Sequence, residues 1–276
     1  MSEVAVRCVR PDERAGDTLG RGMSRRWLVA GVAAACALAV GLLGAWWILF
    51  RDVAEPATVG GAVSAYREGA GTPSSSIPSG VYVYATDGSE QTDALGGVTH
   101  RYPRLSTITV AGAPCGVALR WDVLRGRSTT WTVCTGPPTG WGERSRFERH
   151  TFFGVTDSTT YACTGTPFRP NGDRTGTPFT VECSTGKAQE HGPGSVVGRP
   201  ELTVAGTRVP TVHIRTTTSF TGDTTGRATY DFWLARGSGL PVRITMVSAT
   251  TSGSLIGDVH YRELVRLRLT TLTPRR

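Results

Sequence analysis

Residues 258–272, DVHYRELVRLRLTTL, alternate between apolar and polar side chains along most of their length. Val259, Tyr261, Val265, Leu267 and Leu269 share one face, and His260, Arg262, Arg266 and Arg268 share the other. A period of two belongs to a strand with one face in a core and one in water, because successive side chains of an extended chain point to opposite sides. One residue breaks the pattern: Glu263 falls on the apolar face. A carboxylate is rarely left unpaired inside a protein, so its expected place is a bulge or a sheet rim that meets water. The functional alternative is a polar hook inside a cavity.

The segments before it carry the same alternation. Leu240, Val242, Ile244 and Met246 line one strand, Tyr230, Phe232 and Leu234 a second in which Trp233 points the other way, and Val212 and Ile214 a third. Joined by short turns, these strands are expected to present Val212, Ile214, Tyr230, Phe232, Val242, Ile244, Met246, Val259, Tyr261 and Val265 on one concave apolar face, the candidate surface for an apolar ligand. Other strands are expected at 80–85, 104–111, 115–124, 128–134, 143–153, 159–164, 177–184 and 201–204, then over 207–220, 227–235, 240–249 and 258–272. No stretch of this region has a helical period, and threonine is frequent, which favours strands. The links are too short for parallel crossovers, so the sheet is expected to be antiparallel.

Four cysteines lie in this region, and four allow three pairings. Cys115 and Cys134 flank one expected hairpin and Cys163 and Cys183 another, which makes neighbour pairing the simplest arrangement. A zinc site is disfavoured, since there is no CxxC and no histidine at ligand spacing. The first hairpin holds a conflict: Cys115 has the parity of Val117, Leu119 and Trp121, whereas Cys134 has the opposite parity to Trp131 and Val133. A bulge at Gly116 would restore the register.

Ahead of the β region, residues 27–50, WLVAGVAAACALAVGLLGAWWILF, are uncharged. A helix of that length spans a hydrocarbon layer of about 30 Å, and Trp27, Trp46 and Trp47 fall where aromatic belts sit. Arg21, Arg25 and Arg26 on its N-terminal side place that side in the cytoplasm and the β region outside, a compartment in which disulfides persist. The apolar run is longer than a signal peptide's core, and Cys36 within it reads as an ordinary small residue in lipid rather than a lipidated cysteine. The expected organisation is thus a cytoplasmic stub (1–26, or a start at Met23), a single span (27–50), a flexible stalk rich in Gly, Pro and Ser (51–79) and an extracytoplasmic β domain (80–276). Gly41, with small residues four positions away on either side, gives the span a surface for close helix approach.

The 276 residues carry 30 Lys+Arg against 22 Asp+Glu, a net charge of +8, and Lys187 is the single lysine. So strong an arginine bias resembles high-GC bacterial coding, as in actinobacteria, more than a nucleic-acid surface, and no nucleic-acid partner is expected. The composition excludes a coiled coil and a polytopic membrane protein. There is no GxSxG, HExxH or GxxxxGK[ST], so no catalytic residue, metal or cofactor is assigned. Asp258 and His260, two apart on one face, read as surface decoration without a third group and a cleft. Arg262, Arg266 and Arg268 form a solvated face or a weak docking surface for anionic envelope polymers, lipid headgroups or an envelope protein.

The order strand 207–214, strand 227–234 ending in Phe232-Trp233-Leu234, then Gly239-Leu-Pro-Val-Arg243 is similar to the pattern of the LolA-like superfamily of lipoprotein and lipid carriers. The likeness covers about residues 200–272. It implies a strongly curved antiparallel half-barrel around an apolar cavity for acyl chains, with Trp233 and Gly239–Arg243 shaping a hairpin. The chain as a whole resembles actinobacterial single-pass membrane proteins, a likeness that carries no chemistry. Together these readings favour a membrane-anchored extracytoplasmic binding protein for an apolar or acyl-chain envelope molecule. A structural or sensory envelope protein with a packed core and no ligand comes next, acting through protein or cell-wall contacts, and an enzyme comes last.

Overall fold

The computed structural model describes residues 35–41, 52, 54–69, 77–135, 140–254 and 257–276. Two compact units divide the chain, Met1–Phe50 and Arg51–Arg276. In the first, residues 35–41 are helical and exposed. The expected stub and most of the expected span lie outside the described residues, and among the described residues no helix is long and apolar enough to cross a membrane.

The second unit is built from fourteen strands. They are β1 (Gly80–Thr92), β2 (Val98–Arg101), β3 (Leu105–Ala113), β4 (Gly116–Leu124), β5 (Arg127–Cys134), β6 (Gly142–Phe152) and β7 (Val155–Thr164), followed by β8 (Pro178–Ser184), β9 (Ala188–Gly198), β10 (Glu201–Val204), β11 (Thr207–Gly222), β12 (Thr224–Ala235), β13 (Pro241–Ser254) and β14 (Gly257–Leu269). All pairings are antiparallel, as the short links require. The order β11-β12-β13-β14-β1-β3-β4-β5-β6-β7-β8-β9 returns to its start, because β9 also pairs with β11. The result is a closed barrel of twelve strands, with β2 and β10 appended to β1 and β11.

The expected half-barrel is therefore corrected to a closed one, and β9 is the reason. Its sequence, AQEHGPGSVVG, has no apolar alternation and contains Gly192, Pro193 and Gly194, which read as a turn. In the barrel these residues are small because the neighbours come close. A Cβ on Gly194 would lie 2.5 Å from the Phe179 ring, and one on Gly192 would lie 2.8 Å from Thr216 Cγ2. Proline lacks an N–H, and the β9–β11 ladder skips the positions around Pro193, passing from Thr216↔Gly194 to Ser219↔His191.

Part of the segment expected as a flexible stalk is structured. Pro56 bridges to Leu124, Arg125 N donates to Glu55 O at 2.8 Å, and Ala57 N donates to Val123 O at 3.1 Å. Helix α1 (Val59–Glu68) follows, its N-terminus capped by Thr58, whose Oγ1 accepts from Gly61 N. The backbone hydrogen bonds of this strap are made to the barrel, which is why a composition poor in apolar residues is nonetheless ordered.

Both disulfides pair as neighbours. Cys163 and Cys183 sit directly opposite each other, with Cα atoms 4.1 Å apart. Cys115 joins Cys134 with Cα atoms 4.7 Å apart, but no bulge at Gly116 is involved. Cys134 pairs with Gly116, and Cys115 lies one residue beyond, receiving a bond from Thr135 N. The bridge is thus diagonal, and Leu119↔Trp131 keeps Trp121 and Trp131 on the same inner face, both in the core with Tyr82, Tyr84 and Ile108.

A candidate binding site inside the barrel

The alternation in β11–β14 turns apolar side chains inward, as expected. In β6, GERSRFERHTF, it turns charged ones inward instead. Arg146 is buried opposite Trp131, while Phe147 between the charges is exposed. The ladder to β5 pairs Thr132 with Ser145 and Val133 with Glu143, so Arg144 is an extra residue in a bulge. That bulge switches parity and puts Glu143 on the same inner face as Arg146, Glu148 and His150.

Arg146 is the centre of the cluster. Its Nε donates to Glu143 Oε1 at 3.0 Å, one terminal nitrogen donates to Tyr230 Oη at 3.1 Å and lies 3.5 Å from Glu148 Oε1, and the other donates to Glu190. A second buried guanidinium, Arg127, forms a two-pronged pair with Glu263 at 3.0 and 2.9 Å, and Tyr102 Oη donates to the same carboxylate. Glu263 is thus neither at a rim nor in a bulge: it points inward with its strand's apolar face and is neutralised across the barrel.

The two clusters are linked. Glu90 bonds to His100 Nδ1 at 3.1 Å and to His150 Nδ1 at 3.2 Å and accepts from Tyr261, while His150 Nε2 lies 4.0 Å from Glu148. His100 Nε2 stands 3.0 Å from Asp52, which brings the strap into the chain of charges. Burial pushes the Glu90 carboxyl up, but the bonds from His100 and His150 and the charge of Arg127 outweigh it and hold the group at about 2. Glu148 is likewise held at about 2 against its burial, by His150 and Arg146. For the two imidazoles burial opposes the charged form, and their carboxylate partners still raise both. Glu143 goes the other way: burial, with Arg146 opposing it and Glu190 adding to it, lifts it to about 7. Burial raises Glu190 too.

Beside the Arg146 cluster lies a cavity of about 60 Å³. Trp131, Phe168, Phe179, Ile214, Phe232 and Ile244 form its apolar wall, and Glu143, Arg146, Glu190, Thr218 and Tyr230 its polar end. Two polar atoms of the lining lack a well-aligned partner among the described residues. Trp141 Nε1 has no acceptor, and Thr218 Oγ1, on a side chain 1% exposed, falls outside strict hydrogen-bond geometry but is turned toward Glu190 and, against the larger effect of burial, lowers its carboxyl. The ligand atoms of Glu143, Cys163 and Cys183 lie within 4.8 Å of one another, but sulfurs joined in a disulfide offer no thiolate, so this trio is not a metal centre.

Of the ten residues expected on the apolar face, Ile214, Tyr230, Phe232 and Ile244 line the cavity. Val212, Val242, Met246 and Val265 are packed in the core, Tyr261 belongs to the Glu90 network, and Val259 is half-buried opposite Ser252. Asp258 and His260 do not act together, since His260 Nδ1 bonds instead to Asp93 at 2.7 Å on the exposed surface. Trp233 does face outward, stacked on His213 with centroids 4.0 Å apart and with Arg243 over its ring. Glu143 and Arg146 carry no site signal in the sequence, because alternating charges in a strand read as a solvated face, and Glu190 lies in β9, which reads as a turn. The isolated Phe147 between Arg146 and Glu148 is the one trace in the sequence that the face is inverted. Compared with known protein families, curated proteins and solved structures, the chain matches none.

Proposed function

We propose that the barrel binds a small molecule with an apolar body and a polar head, in a domain held outside the cell membrane by the apolar segment 27–50. The observation that carries this reading is the cavity of about 60 Å³ with an aromatic wall and a charged end. At roughly 10–15 Å³ per water-sized occupant, that space takes a handful of non-hydrogen atoms, so the ligand is shorter than a full acyl chain. The compartment is supported by the two disulfides and by the arginines before residue 27. Saturation-transfer NMR with 1-butanol on the full chain tests the reading. Binding is expected for the wild type and its loss for Ile214→Phe, which fills the cavity. A folded wild-type protein that ignores 1-butanol and similar small apolar molecules defeats it.

The close packing of the rest of the interior, with Trp121, Tyr82 and Tyr84 fully buried, favours a second reading as a structural or sensory envelope protein. Its working surface is then the outer face carrying Arg262, Arg266 and Arg268. Salt-sensitive binding of an anionic polymer that survives Ile214→Phe but not removal of these arginines supports that alternative.

A further inference from the structure

The charges around the cavity do not balance. Glu148 is matched by His150, which leaves two inward carboxylates, half-buried Glu143 and buried Glu190, for the one guanidinium of Arg146. A carboxylate left over inside a barrel is costly unless something positive stands beside it. The aromatic side chains of the wall offer the electron-rich faces that attract cations, and Trp131, Phe168, Phe179, Tyr230 and Phe232 all line the same space. The buried Thr218 hydroxyl stands beside Glu190, toward which its proton is turned, and its lone pairs add an acceptor there. Charge, aromatic lining and a spare acceptor converge on one ligand chemistry.

We infer that the cavity takes an organic ammonium ion, its cationic head held by Glu143, Glu190 and Thr218 and its apolar part lying against Phe168, Phe179 and Phe232. This rests on the reading of the cavity as a binding site and narrows it to one class of occupant. In the empty site a proton on Glu143 does the neutralising, in keeping with the raised affinity of that carboxyl for protons. The groups that face Glu143 are Arg146 and Glu148 from its own strand, Glu190 from β9 and Tyr230 from β12. Arginine stays charged and the buried tyrosine stays neutral through the neutral range, so an entering cation displaces the Glu143 proton.

The probes are n-butylammonium, its neutral isostere 1-butanol, and butyrate, titrated calorimetrically into the full chain at about pH 6 and about pH 8. Butylammonium is expected to bind about tenfold or more tightly than 1-butanol at the higher pH, the worth of a charge-assisted hydrogen bond. It is also expected to bind more weakly at the lower pH, where the proton competes. Glu143→Gln, an isostere, should remove most of the preference for the cation and leave 1-butanol unchanged, and Glu190→Gln provides the same check if the first variant does not fold. Equal affinity for ammonium and alcohol, a preference for butyrate, or a cation affinity that is flat with pH overturns the inference while leaving a small-molecule site standing. If none of the three binds, the site itself is refuted along with it.

Discussion

The barrel has two unlike halves. In β11–β14 the inner face is made of Val212, Ile214, Leu234, Val242, Ile244, Met246, Val265 and Leu267, with Glu263 as the buried acid of β14. In β5–β9 the inner face carries Arg127, Glu143, Arg146, Glu148, His150 and Glu190, and the bulge and the glycines lie there as well. The apolar half needs only to exclude water, and its energy grows with area. The polar half must satisfy every group with a partner at the right distance, so it is held by geometry and fails locally when one member is removed. The cavity opens where the two halves meet. A ligand site needs both a surface that rewards burial and groups that fix orientation, and this barrel assembles them by giving opposite strands opposite inner chemistry.

Removing one charge from the polar half should cost most. Arg127→Leu leaves Glu263 buried without its guanidinium, and a loss of about 3–5 kcal/mol is expected in urea unfolding. The double variant Arg127→Leu with Glu263→Leu should recover much of that. If the single variant were as stable as the wild type, the polar half would not depend on pairing, and the contrast with the apolar half would collapse. In that half Ile244→Ala should cost about 2–5 kcal/mol through lost burial and an enlarged cavity. Ile244 lines the site, so the same variant should also admit longer alcohols than the wild type does.

Crowding the closure gives a smaller effect. Gly194→Ala forces a methyl against the Phe179 ring, and about 1–3 kcal/mol is expected, read as a lower thermal midpoint and faster amide exchange in β9 than in β12. Uniform exchange across the barrel would show that the β9–β11 seam is no weaker than the rest.

The effects of pH are spread over several units and are read as a curve rather than a single loss. Glu90 and Glu148 are lower in the folded protein than their ordinary 4.5, so their contribution is complete above that value and is lost as pH falls toward about 2. Glu143 is raised to about 7, so the unfolded chain gives up that proton first and stability declines as pH rises from about 4.5 to about 7. Glu143→Gln should lessen this decline and leave the acid side alone, while the part above about 6.5 that the raised imidazoles of His100 and His150 carry remains. A wild-type stability curve that rises steadily from pH 5 to pH 7 contradicts the Glu143 assignment.

The difference between the halves also explains what the sequence made legible. In β11–β14 the inner face is mostly apolar, and burial of such a face leaves a period-two signature, so strands, inner face and outward Trp233 could be read directly. Cys163 and Cys183 were equally plain, since a disulfide between directly paired residues preserves parity. In β6 the inner face is polar, and alternation alone does not say which face is inside. The bulge at Arg144 then shifts Glu143 by one position through backbone geometry that no side chain announces. β9 was invisible because tight packing selects glycine there, and glycine is also what turns select. The half-barrel is what the LolA-like resemblance implies, and with β9 unreadable nothing in the sequence spoke for closure or for Glu190.

The ring has a second seam of a different kind. β1 pairs with β14, with Tyr84 opposite Leu269, and Val81 and Arg275 exchange backbone hydrogen bonds at 2.9 Å. The first strand of the barrel thus shares an edge with the last, which is synthesised about 180 residues later. Joining ends so far apart along the chain is entropically costly and slow compared with zipping up a hairpin. Until Leu269 has emerged, β1 has one edge unoccupied along Tyr84–Thr92, and any nascent or truncated chain presents that edge to whatever strand comes near. Folding of this domain is therefore vulnerable at its beginning for as long as its end is missing.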